Sequence, residues 1–179
     1  MSIAEKYRPH YTYSDYCQWE GRWELIDGLP YAMSPAPGLK HQRIASELNA
    51  LFVFALKGCK KCKAYQPIDW KISDTTVLQP DLSIVCSPFS NKQYLDFPPA
   101  LIVEILSPAT AQKDRREKFE IYEQQQVKYY VIADPGFNKV EIFEHINGSY
   151  QPVAVSPASW EFTIEDCTFT ISLDGLFEE

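Results

Sequence analysis

The stretch ALIVEILSPATAQKDRREKFEIY, residues 100–122, decides how the rest of the chain is read. Residues 100–106 are apolar on both faces apart from Glu104, the pattern of a central strand covered on both sides. Ser107-Pro108-Ala109-Thr110 stops that strand, and the charged segment 112–126, carrying Phe119, Ile121 and Tyr122, reads as a helix. An ionisable side chain inside LIVEIL is costly to bury unless a charge partner or a metal compensates it. Glu104 is therefore the most informative residue in the sequence.

A second acid, Asp81, follows Pro80 at the mouth of the strand-like run 79–86, with 22 residues between it and Glu104. If the two strands are neighbours, the carboxylates meet near one end of a sheet. Paired hard oxygens with open positions suit Mg²⁺ or Mn²⁺, which lowers the pKa of bound water and stabilises charge on a phosphate. The plainer alternative is that each acid pairs with a nearby Lys or Arg. On the following helix Asp114, Lys118 and Tyr122 recur at i, i+4 and share one stripe. A lysine there can position a nucleophile or stabilise developing negative charge. Taken alone, Asp114 and Lys118 also read as a surface ion pair, worth about 0.3–0.5 kcal/mol.

Outward from this centre, Asp27-Gly28 between WELI and LPYAM marks a tight hairpin and an N-terminal two-stranded ribbon. The breaker cluster Ser34-Pro35-Ala36-Pro37-Gly38 precedes a helix over 41–57, with Ile44, Leu48, Leu51, Phe52 and Ala55 at helical spacing and Gly58 as its cap. Strands follow over 63–72 and 79–86, separated by the polar turn 73–76, and a loop covers 87–99. Beyond the second helix, 127–133, 139–146 and 149–155 read as strands, the last two joined at Asn147-Gly148. The tail 162–177, with Phe169, Ile171, Leu173 and Leu176, reads as a last hairpin or a dimer contact. The order ββαβββαβββ predicts an α/β or α+β mixed sheet with helices packed on it, in one domain spanning 1–179.

The 179 residues carry 17 Lys+Arg against 24 Asp+Glu, a net charge of −7, so the overall field repels a phosphate backbone. A generic nucleic-acid coat is thereby disfavoured, and nucleic-acid chemistry needs a local basic patch or divalent metal. The start MSIAEKYRPHY lacks an apolar core of the kind a secretory signal needs, and no run approaches the roughly 18 apolar residues of a membrane span. Five cysteines, an odd number, are a poor basis for a disulfide framework, which points to a reducing, cytoplasmic setting. Cys59-Lys60-Lys61-Cys62 has zinc-ligand spacing, but the other cysteines are scattered singly, and the pair closes a helix where a redox motif would open one. There is no G-x-S-x-G, P-loop or G-x-G-x-x-G. Tyr11, Tyr13, Tyr16 and Trp19 could stack on bases, yet no basic residues interleave with them and packing on the ribbon accounts for them.

Asp27-Gly28, His41, Gln79-Pro80-Asp81-Leu82, the run Val103 to Pro108 with Thr110, Asp114, Lys118 and Tyr122, and Tyr129-Tyr130-Val131-Ile132-Ala133-Asp134-Pro135 together resemble, in order, the bacterial Uma-two family. That family comprises restriction-endonuclease-like proteins similar to the PD-(D/E)xK nuclease superfamily. The match runs from about Trp23 to Tyr150, and its specific part is E-I-L-S-P-x-T-x-x-x-D-x-x-x-K-x-x-x-Y. The resemblance implies a four-stranded mixed core sheet flanked by helices, with Asp81, Glu104 and the backbone carbonyl of Ile105 as metal ligands. The superfamily's lysine, two residues after the glutamate, is Leu106 here, so Lys118 would supply the ammonium. Glu47 is a candidate outer ligand, His41 a candidate site residue and Lys71 a candidate phosphate contact.

The sequence thus leads to a Mg²⁺- or Mn²⁺-dependent nuclease acting on nucleic acid, DNA first, as a homodimer. Asp81 and Glu104 hold the metal, Lys118 assists, and Tyr122 and Asp114 orient Lys118. The alternative is a catalytically inactive nuclease-fold binding or interaction module.

Overall fold

The computed structural model describes residues 9–33, 37–87 and 93–178. The leader reading at 1–8, the breaker residues Ser34, Pro35 and Ala36, and positions 88–92 of the loop lie outside the described residues.

A short turn of helix, α1 (Tyr13–Tyr16), leads into the ribbon β1 (Trp23–Ile26) and β2 (Leu29–Ala32). Ile26 pairs with Leu29, so Asp27-Gly28 is a two-residue loop, and both residues have positive φ, +47° and +74°. That is the mirror-image turn whose twist matches the strands it joins. A side chain at Gly28 would also strike the His10 ring, 2.5 Å from its Cδ2. The ribbon is half of a larger unit: β5 (Thr76–Leu78) pairs with β1, and β4 (Trp70–Ser73) with β5, giving the order β2-β1-β5-β4.

The expected single strand over 63–72 is therefore two. β3 (Lys63–Tyr65) stays with the main sheet, the chain passes Pro67, which cannot donate to a ladder, and β4 begins in the second sheet. The main sheet has six strands in the order β10-β9-β8-β7-β6-β3, where β6 is Leu82–Val85, β7 Leu101–Ile105, β8 Tyr129–Asp134, β9 Lys139–Ile146 and β10 Ser149–Val155. Only the β7–β8 pair is parallel, and the helices α3 (Ala111–Arg115) and α4 (Glu117–Gln124) make its crossover. The expected four-strand core β6-β7-β8-β9 is present, extended by one strand at one edge and one at the other. The single helix expected over 112–126 breaks at Arg116, whose φ and ψ of −125° and −82° are not helical.

Alternation along β7 sorts its side chains onto two cores. Leu101, Val103 and Ile105 face the cluster built with Ile44, Leu48 and Phe52 of α2 (Leu39–Ala55). Ile102 faces the other cluster, with Trp70 and Leu78 of the small sheet and Tyr122 of α4. Glu104 shares the Ile102 face, so the acid of LIVEIL is aimed at α4 and the small sheet. The C-terminal hairpin, β11 (Ser159–Ile164) and β12 (Cys167–Ser172), turns Phe162, Phe169 and Ile171 onto α2. Its apolar face is thus covered within the chain.

Four of the five cysteines pair, Cys59 with Cys167 and Cys62 with Cys86, which corrects the reading of a chain without a disulfide framework. They are scattered in sequence but not in space. The β3–β6 register sets Cys62 opposite Cys86, one step beyond Lys63 and Val85, and α2 ends on β12, where Cys167 lies. Among the described residues no helix is long and apolar enough to cross a membrane.

Phe52 is fully buried and its ring touches those of Phe162 and Phe169, so it holds the C-terminal hairpin to the sheet. Phe52→Ala is expected to lower unfolding stability by about 3–5 kcal/mol, read from urea denaturation. A cost below ~1 kcal/mol would mean the hairpin does not pack there.

Candidate active site

The β6–β7 register pairs Leu82 with Val103, which places Asp81 across from Glu104. The two acids do meet at one end of the sheet, as the spacing of the strands suggested. The Ile105 N–H donates to Asp81 Oδ2 over 2.8 Å, fixing that carboxylate on the neighbouring strand. Both acids line a cavity of about 290 Å³, together with Ile105, His41, Asp114 and Lys118.

Lys118 enters this cavity from α4. Its Nζ lies 2.9 Å from Glu104 Oε1, 2.8 Å from Glu24 Oε1 and 3.4 Å from Asp114 Oδ1. Lys118 and Asp114 are each only 2% exposed, so the pair that reads as a surface ion pair in sequence is an interior one. Tyr122, one turn along, donates its hydroxyl to Glu104 Oε1 over 2.6 Å. It therefore orients the glutamate and not the lysine, while Asp114 does touch Lys118. The Tyr130 hydroxyl donates to the Asp114 backbone carbonyl and ties α3 to β8.

Glu24 is the residue that the sequence analysis missed. It is 0% exposed, bonded to Lys113 and Lys118, and its Oε1 also accepts the Gln79 N–H at 3.0 Å. The signal was the same as at Glu104, an acid inside an apolar strand, WELI. In a ribbon with one face expected to meet solvent, that acid looks ordinary. It is buried because β1 sits between β2 and β5 and faces α4.

Lys118 is thus surrounded by Glu24, Glu104 and Asp114, Lys113 pairs with Glu24, and Asp81 lines the same cavity. Burial pushes the Glu104 carboxyl well above its ordinary value, outweighing Lys118, and the neighbouring acids add to the rise. Burial and Glu24 likewise raise Asp114 against the pull of Lys118. At Glu24 the balance is reversed: burial disfavours its charge, but Lys118 and Lys113 together hold it below 4.5. Burial opposes the Lys118 ammonium too, yet Glu104, Glu24 and Asp114 keep it charged well above its usual range. The site carries more acid than base, and Asp114 Oδ1 faces the Lys118 ammonium at 3.4 Å without a hydrogen bond. Among the described residues no three acids, histidines or cysteines are gathered into a ready-made metal site, while the oxygen-rich acidic lining is of the kind a hard divalent cation takes.

His41 stands at the start of α2 with Nε2 3.2 Å from Asp81 Oδ2, and its Nδ1 is buried without a hydrogen-bond partner. Burial would lower its pKa, but the Asp81 contact prevails and raises it. The remaining candidates are elsewhere. Glu47 pairs with Arg43 on a half-exposed part of α2, and Lys71 reaches Asp74 and the Tyr13 ring. Leu106 is buried in the core shared with Tyr122, its N–H bonded to the Ala133 carbonyl, so position 106 is a packing position.

A family model described as "Putative restriction endonuclease" matches residues 12–174. The chain belongs to this Uma2 family. A crystal structure of a putative nuclease belonging to DUF820 from Anabaena variabilis ATCC 29413 superimposes with a TM-score of 0.74 at 18% identity, covering 93% of this chain and 97% of that one. At that identity the likeness establishes a shared fold, that of a nuclease-like mixed sheet with flanking helices. The Uma2 chain is also 34% identical over 121 residues to the uncharacterized protein slr1290 of Synechocystis sp. (strain ATCC 27184 / PCC 6803 / Kazusa). That alignment spans 64% of this chain and 63% of the relative.

Glu24→Gln leaves the buried Lys118 and the partly buried Lys113 short of a carboxylate, so at neutral pH it is expected to cost about 3–5 kcal/mol. Because the folded-state pKa of Glu24 lies below 4.5, its stabilisation is complete above that value and is lost as pH falls through the folded pKa. The gap in melting temperature between wild type and Glu24→Gln should therefore narrow as pH drops below 4.5. A gap that is constant with pH would show that the carboxylate charge is not what stabilises.

Proposed function

We propose that this Uma2 protein is a metal-dependent nuclease that hydrolyses phosphodiester bonds in nucleic acid, DNA in the first place. The observation that carries the reading is the placing of Asp81 and Glu104 across from each other, on one cavity with Lys118. Asp81, Glu104 and the backbone carbonyl of Ile105 are the groups we assign to Mg²⁺ or Mn²⁺. Bound there, the ion supplies a water of lowered pKa and neutralises charge on the phosphate.

The protein's own residues do the rest. Lys118 is held as an ammonium, so its part is to fix Glu104 and to stabilise negative charge, not to accept a proton. Tyr122 fixes the same Glu104 oxygen from α4, leaving that carboxylate little freedom to turn away. Asp114 and Glu24 restrain Lys118 from the other sides. His41 and the Ile105 N–H hold Asp81. Cutting both strands of a duplex takes two such sites related by a two-fold axis, and a homodimer is the assembly we propose for it.

Supercoiled plasmid, linear duplex, single-stranded DNA and RNA, each with Mg²⁺ or Mn²⁺, make the test. Wild type is expected to cut, with Asp81→Asn, Glu104→Gln and Lys118→Met each slower by at least about a hundredfold. Mn²⁺ should also raise the melting temperature of wild type by mass action, and not that of Asp81→Asn. A folded wild type that is inert on every substrate, with no metal-dependent shift, would instead favour a nuclease-fold binding module.

A further inference from the structure

Beside the acidic cavity lies a second one, of about 430 Å³, whose walls mix aromatic and polar side chains: Tyr13, Tyr16, Trp19 and Trp23 line it with Asp69 and Gln79. All four rings are half-buried. Tyr13 stacks on Tyr16 at 17°, and Trp19 meets Tyr16 at 60° and Trp23 at 58°. The rings thus pack on one another, and together they still border an open space with a polar wall. The Gln79 amide donates to Asp69 Oδ1 and, over 3.3 Å, to the Tyr16 hydroxyl, and so holds a carboxylate in that wall.

Arg22 stands between Trp19 and Trp23 in sequence, and the fold brings Lys71 to the same aromatics. Lys71 Nζ lies 4.2 Å from the centre of the Tyr13 ring. Arg22 Nε donates to Gln79 Oε1 over 3.1 Å, and Arg22 also lines the cavity of Asp81 and Glu104. Arg22 and Gln79 are therefore the partition between the two cavities. Gln79 stands two residues before Asp81, a distance of roughly 7 Å along extended chain. That separation is on the scale of one nucleotide.

We propose that the aromatic cavity takes an unstacked nucleobase of a single-stranded segment, its face against Trp19 and its edge toward Asp69. A carboxylate in the wall accepts hydrogen bonds, so it favours an edge carrying N–H donors. Aromatic side chains bind bases by stacking whatever the sequence, and a cation at the rim meets the adjoining phosphate. The proposal rests on the nuclease reading only in placing that phosphate at Asp81 and Glu104.

Binding is measured in EDTA, by fluorescence anisotropy of a dye-labelled strand, for wild type and for Glu104→Gln. The probes are a short single-stranded oligonucleotide and an abasic strand of the same length and charge. The strand with bases is expected to bind about tenfold more tightly than the abasic one in both proteins. Trp19→Leu and Trp19→Ala, melting as wild type does, should lose that preference. Equal binding of the two strands, no binding of either, or an unchanged preference in both folded variants would overturn the proposal. Because no metal is present, these outcomes are separate from cleavage. Cleavage without base preference removes the base pocket and leaves the nuclease reading, and base preference without cleavage does the reverse.

Discussion

One buried ammonium organises this protein. Lys118 sits among Glu24, Glu104 and Asp114, and those acids come from β1, β7 and α3. Taking such charges out of water is costly for each ion singly, and the cost is offset only if the partners arrive together with good geometry. The small sheet, the central strand and the crossover helices must therefore dock on one another in a single arrangement. The aromatic packing around Tyr122 and Trp70 supplies the apolar burial that holds that arrangement closed.

The site is layered around that ion. Glu104 answers to Lys118 and Tyr122 on its buried side and opens to the cavity that Asp81 also lines. Asp81 answers to the sheet through the Ile105 N–H and to α2 through His41. Asp81 is thus held from two elements, and Glu104 is held twice from one, α4. Placement to within fractions of an ångström is what such chemistry requires.

Much of this was legible in the chain. An acid inside LIVEIL has to be compensated, Asp81 leads the strand that turns out to pair with it, and the i, i+4 stripe of Asp114, Lys118 and Tyr122 names the compensating helix. Glu24 was not legible, because whether a ribbon residue faces solvent depends on which sheet covers it, and that is decided by β4 and β5, about 50 residues away. The pairings of Cys62 with Cys86 and Cys59 with Cys167 were hidden for the same reason: each is set by strand register or helix packing, not by spacing. The break at Arg116 also escaped the helical pattern, since charged residues on both sides continue it. Arg115 explains the local pull, reaching out to Asp134 and Glu141 on the sheet.

The ammonium of this site is carried by α4, while Glu104, which it contacts, is carried by β7. A side chain on a strand is bound to the pleat of its sheet, whereas one on a helix is placed by how that helix packs. With Leu106 buried in the core and the charge on α4, a change at position 106 is felt through packing volume. An aliphatic side chain of similar size costs less than about 1.5 kcal/mol there, whereas a change at Lys118 undoes contacts to three acids at once.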